Sequence, residues 1–340
     1  MTDNIYKQNV YSLKEEMWHS KGYVSKVEET AEVAYGHMEE VTYEQRPFSI
    51  VLNGGLLESK DFGIVRMSGG KEVLIGHTRG RYSLIQPRGY FQLFDENVKV
   101  PVETIGFLGT NAEKLFTSWC LPDIDIHGDV HKLFGMLHVG FDGKYGEHLY
   151  IADVRPICAN TVAMAIGDSE STNNHGRGSL YSGKHNNDNH KRDLGIWMSY
   201  IQRDAEKNVE MIKSLFCKMD SVPLNSDNAY SLFSKIYTVD DVVPDFYPDE
   251  LRDERQEKID GKKETAQERV DLAMNLFQGA GIEIAKNCYG AFNCVTEAEN
   301  HYVIAKKDRV NSILFGGSAL IMNRATSIIG DYANEYAIVR

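Results

Sequence analysis

The stretch KLFGMLHVGFDGKYGEHLYIADV, residues 132–154, decides the fold. Two strand-like apolar runs, residues 132–141 and 148–154, flank the pentapeptide Asp142-Gly143-Lys144-Tyr145-Gly146. An Asp-Gly pair between such runs favours a reversing turn, because glycine adopts a positive φ without strain. The stretch therefore predicts a β-hairpin.

The chain that leaves this hairpin has the sequence IADVRPICANTVAMA, residues 151–165. Its strand is predicted to end near Pro156. Asn160 or Thr161 then suits the cap of a helix over residues 162–166, because a side-chain oxygen there accepts a free backbone N–H of the first turn. Arg155 within this polar junction has two open roles: contact with a ligand, or a buried structural role that holds the hairpin against the helix.

Short apolar runs broken by glycine and aspartate fill the region before the hairpin. Their β-branched and aromatic content is typical of strands, and turn sequences such as Ser68-Gly69-Gly70 separate them. These runs are residues 48–52, 63–67, 73–75 and 115–119. One helix interrupts the meander, since Pro87 suits a first helical turn and Tyr90 and Phe94 follow at helical spacing.

The second half of the chain begins with residues 168–192, which are rich in Ser, Asn, Gly and His and predict a long loop. Beyond them the hydrophobic period becomes helical. One buried helical face is predicted to carry Trp197, Ile201, Val209, Ile212, Phe216 and Met219. The acidic residues 240–260 predict a solvated linker, and Thr265-Ala266-Gln267-Glu268 has the form of a capping box that starts the next helix. Further helices are predicted over about 228–237, 291–301 and 318–336.

These elements together predict an α+β fold: a mainly antiparallel meander sheet with a mostly helical C-terminal half. We divide the chain into four parts. They are an N-terminal arm (1–45), a β-rich core (46–167), a flexible loop (168–193) and a helical part that packs on the core (194–340).

Composition bounds the class of protein. The 340 residues are 42% hydrophobic and can bury a substantial core. The 49 acidic and 37 basic side chains give a net charge of -12, which opposes binding to a polyanion unless the cations gather locally. Five scattered cysteines indicate reduced thiols and a cytoplasmic protein. We expect no membrane association, because no signal peptide is visible and no apolar run approaches the roughly 18 residues of a bilayer span.

Catalytic motifs are weak. His127 and His131 stand four positions apart, and Asp123, Asp125 and Asp129 have the carboxylates that gather magnesium, but both sets equally suit solvated turns. Gly176-Arg177-Gly178 lacks the lysine and hydroxyl of a phosphate loop. We therefore expect no resident metal or cofactor, and non-covalent binding rather than bond chemistry.

Basic side chains form three clusters in this acidic chain. Arg79, Arg81 and Arg88 alternate with Tyr82 and Tyr90, a mixture suited to pairing phosphates and stacking unpaired bases. The second cluster lies in the predicted loop and comprises Arg177, Lys184, Lys191 and Arg192, with His185 and His190. The third is Lys306, Lys307 and Arg309. Taken alone, each of these cations also fits an ordinary solvated side chain with no binding role.

Several segments, in matching order from about residue 17 to 329, resemble the phage/plasmid-like protein family, domain of unknown function nine-three-two. The most specific are the Arg-x-x-Cys-x-Asn-Thr element at 155–161 and the Asn-x-Val-Thr-Glu element at 293–297. The others are Trp18-His19 with Gly22, residues 82–86, Lys184-His185, and residues 289–297 through Phe315-Gly316.

The resemblance implies a function. Members of this family occur on phages and mobile elements, and the predicted plan looks distantly like the ring-forming recombinases that anneal single strands. It implies binding and annealing of single-stranded DNA by a homo-oligomer, with a ring as one form, in the cytoplasm of a bacterial host. Under this hypothesis the phosphates contact Arg79, Arg81, Arg88, Lys184, Lys191 and Arg192, and a base stacks on Tyr82.

Two other classes of function stay open. One is a metal-dependent DNA-processing enzyme that uses Asp123, Asp125 and Asp129. The other is an acidic phage protein that binds a host factor, in keeping with the net charge.

Overall fold

The structure is a computed structural model that describes residues 5–14, 22–53, 55–80, 82–153, 162–164, 181–183, 189–239, 241–242, 251–279, 284–303 and 317–337. The strands are β1 (Ile5–Leu13), β2 (Tyr23–Ser25), β3 (Thr42–Leu52), β4 (Gly55–Ser68), β5 (Lys71–Arg79), β6 (Thr104–Leu108), β7 (Lys114–Cys120), β8 (Ile124–Ile126), β9 (Asp129–His131), β10 (Leu133–Gly140), β11 (Glu147–Asp153), β12 (Val162–Met164) and β13 (Tyr181–Gly183). The helices are α1 (Ala31–Tyr35), α2 (Pro87–Asn97), α3 (His190–Arg203), α4 (Ala205–Ser221), α5 (Ser226–Ile236), α6 (Arg252–Phe277), α7 (Cys288–Glu297) and α8 (Gly317–Tyr336), and a π-helical turn (Ala298–Val303) continues α7.

The predicted α+β class is confirmed, because antiparallel sheets occupy mainly the first half of the chain and helices mainly the second. The large sheet has the strand order β12-β11-β10-β7-β6-β1-β2, and β13 also pairs with β11. Every residue of β10 is buried, so this strand is covered on both faces. A separate meander, β3-β4-β5, forms the second sheet.

The predicted hairpin is confirmed as β10 and β11, which pair from Leu133↔Asp153 to Val139↔Glu147. Its turn is stabilised by Asp142, whose Oδ1 accepts the backbone N–H groups of Lys144 at 2.9 Å and Tyr145 at 3.3 Å. Gly143 has a φ of 77°, the conformation that the Asp-Gly pair predicted.

The second sheet and α2 are also where the sequence placed them. The strands β3, β4 and β5 include the three predicted apolar runs, and Gly69 and Gly70 turn the chain between β4 and β5 with positive φ. Pro87 begins α2, and Tyr90 and Phe94 are fully buried on its inner face. Phe94 packs edge-on against Trp119 of the large sheet, with ring centroids 5.4 Å apart.

The prediction of a helix over residues 162–166 is wrong, because Val162–Met164 form the strand β12. This strand pairs antiparallel with Ile151–Asp153 of β11, so the outer edge of β11 has a hydrogen-bonding partner there. A three-residue apolar run has no period that distinguishes a strand from a helix. The open edge of β11 therefore determined that this run forms a strand. The predicted cap residues Asn160 and Thr161, and Arg155, lie outside the described residues.

Two boundaries in the second half differ from the predictions. The stretch interpreted as a loop contains the strand β13, and α3 begins at His190. The helix α6 begins at Arg252, so Thr265 lies within it and its Oγ1 donates to the carbonyl of Gly261 at 3.0 Å instead of capping. The Glu, Lys, Arg and Gln residues before Thr265 have high helix propensity, which the acidic character of the segment concealed.

The first 45 residues, interpreted as an arm, contribute the strand β1, which lies between β6 and β2 in the large sheet. Val10, Tyr11 and Leu13 of this strand are buried. Helices α5, α7 and α8 confirm the three further predicted helices. Within the described ranges, the helices are all too short or too polar to cross a lipid bilayer.

Candidate functional site

The turn between β10 and β11 is the meeting point of segments that are far apart in sequence. We call residues 140–147 the β10–β11 corner. The end of β5 packs on it so closely that a Cβ added to Gly76 would lie 2.1 Å from the carbonyl oxygen of Asp142. Gly183 of β13 pairs with Glu147, and His190 of α3 places its Nε2 3.7 Å from Glu147 Oε1.

A cavity of about 700 Å³ opens beside this corner. It lies where the last residues of β5 approach the turn. Its described lining residues are Asp61, His77, Thr78, Arg79, Gly80, Tyr82 and Gly143. Arg79 is exposed to solvent at this position. The cavity therefore brings two predicted binding residues, Arg79 and Tyr82, to one place.

Tyr82 is a wall of the cavity rather than a free ring. It is partly buried against the hydrophobic core, and its hydroxyl donates to the carbonyl of Gly140 at 3.5 Å. Burial, and then the nearby carboxyls of Asp142 and Glu147, raise its pKa well above the ordinary range. Tyr82 thus keeps its proton and remains a donor.

Glu147 lies at the base of the corner and is completely buried. Its Oε1 accepts a hydrogen bond of 2.5 Å from the hydroxyl of Tyr90 on α2. Burial raises the pKa of this carboxyl, while the Tyr90 hydrogen bond and His190 act in the opposite direction. The three side chains bring α2, α3 and the start of β11 together, so they hold the corner in place.

Lys191 and Arg192 follow the buried His190 and are both exposed on the first turn of α3. Arg192 lies 3.4 Å from Asp193. An exposed pair of this kind is weak, because water screens both charges. The guanidinium therefore remains accessible to a second anion.

Arg81 and Lys184 lie outside the described residues, as do Arg177, His185 and the third basic cluster. Gly80 and Tyr82 line the cavity on either side of Arg81, and Gly183, which precedes Lys184, pairs with Glu147.

Arg88 is directed away from the corner. Its guanidinium lies 3.1 Å from Glu32 and 3.8 Å from Glu40, and it stands 5.8 Å above the ring of Tyr35. Two carboxylates already offset its charge. The structure therefore places Arg79 and Tyr82 in one cavity wall, and Lys191 and Arg192 directly after His190, which contacts Glu147 of the corner.

Of the carboxylates considered for a metal, Asp125 has a structural role. Asp125 Oδ1 accepts the backbone N–H of Gly128 at 2.6 Å and shapes the β8–β9 turn, while His127 Nδ1 lies 2.6 Å from Asp220 Oδ2. His131 is buried and contacts the hydroxyl of Tyr289. Among the residues that the structure describes, no three His, Cys, Asp or Glu side chains come together as a metal site would need. The side chain of Asp129 is not among those described.

Cys288 and Cys294 of α7 are free, buried thiols. Burial raises the pKa of Cys288 to about 11 and that of Cys294 to about 12. Both therefore stay protonated near neutral pH and are poor nucleophiles.

Sequence reasoning missed one group of exposed aromatic residues. Trp197 was predicted to be buried, yet 37% of it is exposed, together with 36% of Tyr200. The buried residues of α3 are His190, Leu194, Gly195, Met198 and Ile201. Trp197 lies three residues after Leu194 and four before Ile201, so it stands at the edge of the buried face, and the helical period alone does not distinguish an edge position from a buried one.

The fold and the corner define an α+β protein with a cleft and exposed cations at one end of its main hairpin. This chain belongs to the family described as Domain of unknown function (DUF932), whose sequence profile matches residues 74–314. The match begins within β5 and includes the whole β10–β11 corner. The family resemblance seen in the sequence is thus confirmed. No curated protein and no solved structure matches the chain.

Proposed function

We propose that this protein binds single-stranded DNA at the β10–β11 corner and anneals it to a complementary strand. The observation that carries the proposal is that three segments distant in sequence meet at this corner. The end of β5 with Arg79, the end of β13, and the first turn of α3 with Lys191 and Arg192 all meet at one turn. Phosphate contacts by such cations supply most of the affinity for a nucleic acid.

The net charge of -12 makes the placement of the acids at the corner important for this proposal. Of the acids at the corner, Glu147 is buried and Asp142 accepts backbone N–H groups of its own turn. Asp61 and Asp193 remain beside the cations and reduce the local positive charge. Binding is therefore expected to be of moderate affinity and to depend strongly on salt.

Annealing by this route needs neither bond chemistry nor a cofactor. Protomers that assemble side by side, as in the ring-forming recombinases that the family plan resembles, would place successive corners along one strand. Phosphates held at these corners leave the bases open to a complement. We place this activity in phage or mobile-element recombination within the cytoplasm of a bacterial host.

The test is the salt dependence of binding to a fluorescein-labelled oligo-dT, followed by anisotropy between about 50 and about 200 mM salt. Each phosphate contact contributes about 0.7 to the slope of log affinity against log salt for a single strand. Lys191→Gln/Arg192→Gln is expected to reduce this slope by about 1.4. Arg81→Glu is expected to weaken binding to every sequence tested.

Lys235→Gln is the matched control, because Lys235 is exposed on α5, which packs on α6 and α8. It should leave both affinity and slope unchanged. Salt-independent binding, or an equal loss in the control, contradicts the proposal. Cleavage of the strand that requires a divalent cation and disappears in Asp125→Ala would indicate a DNA-processing enzyme instead.

A further inference from the structure

The exposed face of α3 carries aromatic side chains beside the basic corner. Trp197 and Tyr200 lie at the edge of the buried face of α3, next to Leu194 and Ile201, which are fully buried. About a third of each aromatic residue is exposed. Large rings that are partly anchored and partly exposed present a stable apolar surface to solvent.

The rings hold one another in fixed orientations. Tyr181 of β13 lies against Trp197, with ring centroids 6.2 Å apart and planes 36° apart. Trp197 meets Tyr200 edge to face, with centroids 5.6 Å apart and planes 70° apart. Such contacts reduce the rotational freedom of the rings before any ligand binds, so binding to them costs less conformational entropy.

One end of this aromatic face carries a cation, and the other end adjoins the corner. Arg203 lies 5.4 Å above the ring of Tyr200, and its guanidinium plane is fixed by two hydrogen bonds to Asp204, of 3.1 and 3.2 Å. At the other end, Tyr181 lies beside the corner, because β13 pairs with β11 from Leu149↔Tyr181 to Glu147↔Gly183. A single strand held at the corner can therefore continue from Tyr181 along the aromatic face.

We propose that Tyr181, Trp197 and Tyr200 form a stacking platform for unpaired bases of single-stranded nucleic acid. This inference rests on the proposed function and deepens it, because it names what receives the bases while the corner binds the phosphates. Aromatic stacking tolerates any sequence, since every base has a π-face. The platform takes the role that the sequence assigned to Tyr82, whose ring is partly buried in the cavity wall and whose hydroxyl is engaged by Gly140.

The experiment compares an oligo-dT with an abasic oligonucleotide of equal length, which keeps the phosphates and lacks the bases. Stacking contributes about 1–3 kcal/mol per base, so wild type should bind oligo-dT at least about fivefold more tightly than the abasic strand. Trp197→Ala should remove most of this preference and leave abasic binding and the salt slope unchanged. Trp197→Phe should retain part of the preference, which separates stacking from misfolding.

Tyr230→Ala is the matched control, because Tyr230 is 45% exposed on α5, away from α3. It should leave the preference intact. The platform is ruled out if wild type does not distinguish the two strands, or if Trp197→Ala weakens both equally. A change in sedimentation mass in Trp197→Ala, with the preference preserved, also overturns it and indicates contact between copies of the chain. Absence of binding to either strand overturns the proposed function as well, so the two failures are distinguishable.

Discussion

Two buried carboxylates sit at the centres of the two halves of this molecule, and their surroundings differ. Glu147 in the β10–β11 corner and Glu299 in the helical half are both fully buried, and burial raises the pKa of each. Glu147 receives a hydrogen bond from the neutral hydroxyl of Tyr90 and lies 3.7 Å from His190. Glu299 lies 3.5 Å from the guanidinium of Arg269 and accepts a hydrogen bond of 2.9 Å from Ser318.

The two carboxylates differ in the charge of the groups that contact them. Arg269 is cationic at every relevant pH, so Glu299 has a permanent counter-charge that joins α6, the π-helical turn and α8. Glu147 has a hydroxyl and an imidazole, and an imidazole is charged only when it is protonated. The helical cluster thus contains a permanent cation beside its carboxylate, whereas the corner of the proposed DNA site does not.

The largest expected effect concerns the helical cluster. Arg269→Met leaves Glu299 buried without its cation, and breaking a buried pair is strongly destabilising. We expect the free energy of unfolding at neutral pH to fall by about 3 kcal/mol, measured by urea denaturation. The double variant Arg269→Met/Glu299→Gln should recover most of this loss, because no buried charge is left. A single variant as stable as wild type would show that Glu299 is already protonated.

The next effect concerns the corner. Tyr90→Phe removes the hydroxyl that donates to Glu147 and is expected to lower the free energy of unfolding by about 2 kcal/mol, as for a hydrogen bond to a charged group. Tyr35→Phe is the control, because its buried hydroxyl contacts only the backbone of Val41, at 3.1 and 2.9 Å. That variant loses two hydrogen bonds between neutral groups and should lose about 1 kcal/mol for each. A loss in Tyr90→Phe of only about half that of the control in the urea titrations would mean that Glu147 is neutral in the folded protein.

A pH titration of stability sharpens the comparison further. The pKa of Glu147 is raised above its ordinary value of 4.5, so over a window above that value the folded protein holds a proton that the unfolded chain has lost. Its contribution to stability is complete below about pH 4.5 and is lost as the pH rises through the folded pKa. Glu147→Gln should therefore be less stable relative to wild type at acidic pH than at about pH 8.

Thermal unfolding at several pH values measures this change. Glu299→Gln should show the same sign, because the pKa of Glu299 is also raised. A pH profile of Glu147→Gln that runs parallel to that of wild type would contradict the assigned direction.

The smallest expected effect on stability is at the surface of the corner. Arg192 is exposed and pairs only weakly with Asp193, so Arg192→Gln should change the free energy of unfolding by about 0.5 kcal/mol or less. The same variant is expected to weaken binding to oligo-dT. A loss of binding that accompanies a large loss of stability would place Arg192 in the fold rather than in the DNA site.

Local pattern predicted the elements that have strong local signals. Asp142-Gly143 specified the main turn, and Pro87 with the aromatic residues after it specified α2, because both signals act within a few residues. The strand β12 was missed, since three apolar residues carry no period and the open edge of β11 selected a strand. The start of α6 was missed because a charged, solvated helix has no apolar face to reveal it.

The sequence predicted the residues of the candidate site only in part. Arg79, Tyr82, Lys191 and Arg192 were chosen as types of residue suited to nucleic acid, and the structure brings Arg79 and Tyr82 to one cavity and places Lys191 and Arg192 next to His190 of the corner. Arg88 belonged to the same set, but Glu32 and Glu40 pair with it from α1 and the adjoining chain. Nothing local distinguishes Arg88 from Arg79, because the pairing acids stand more than forty positions away in sequence.

The sequence by itself determined the class of fold, the main hairpin and the family, because turn chemistry, hydrophobic period and motif order are properties of neighbouring residues. The tertiary structure alone decided which charges are buried, which are paired, and which rings of α3 face solvent. Those outcomes depend on contacts such as Tyr90 with Glu147 and Tyr181 with Trp197, which join residues that are distant along the chain. Burial and electrostatic pairing depend on distance in space, and sequence separation does not fix that distance.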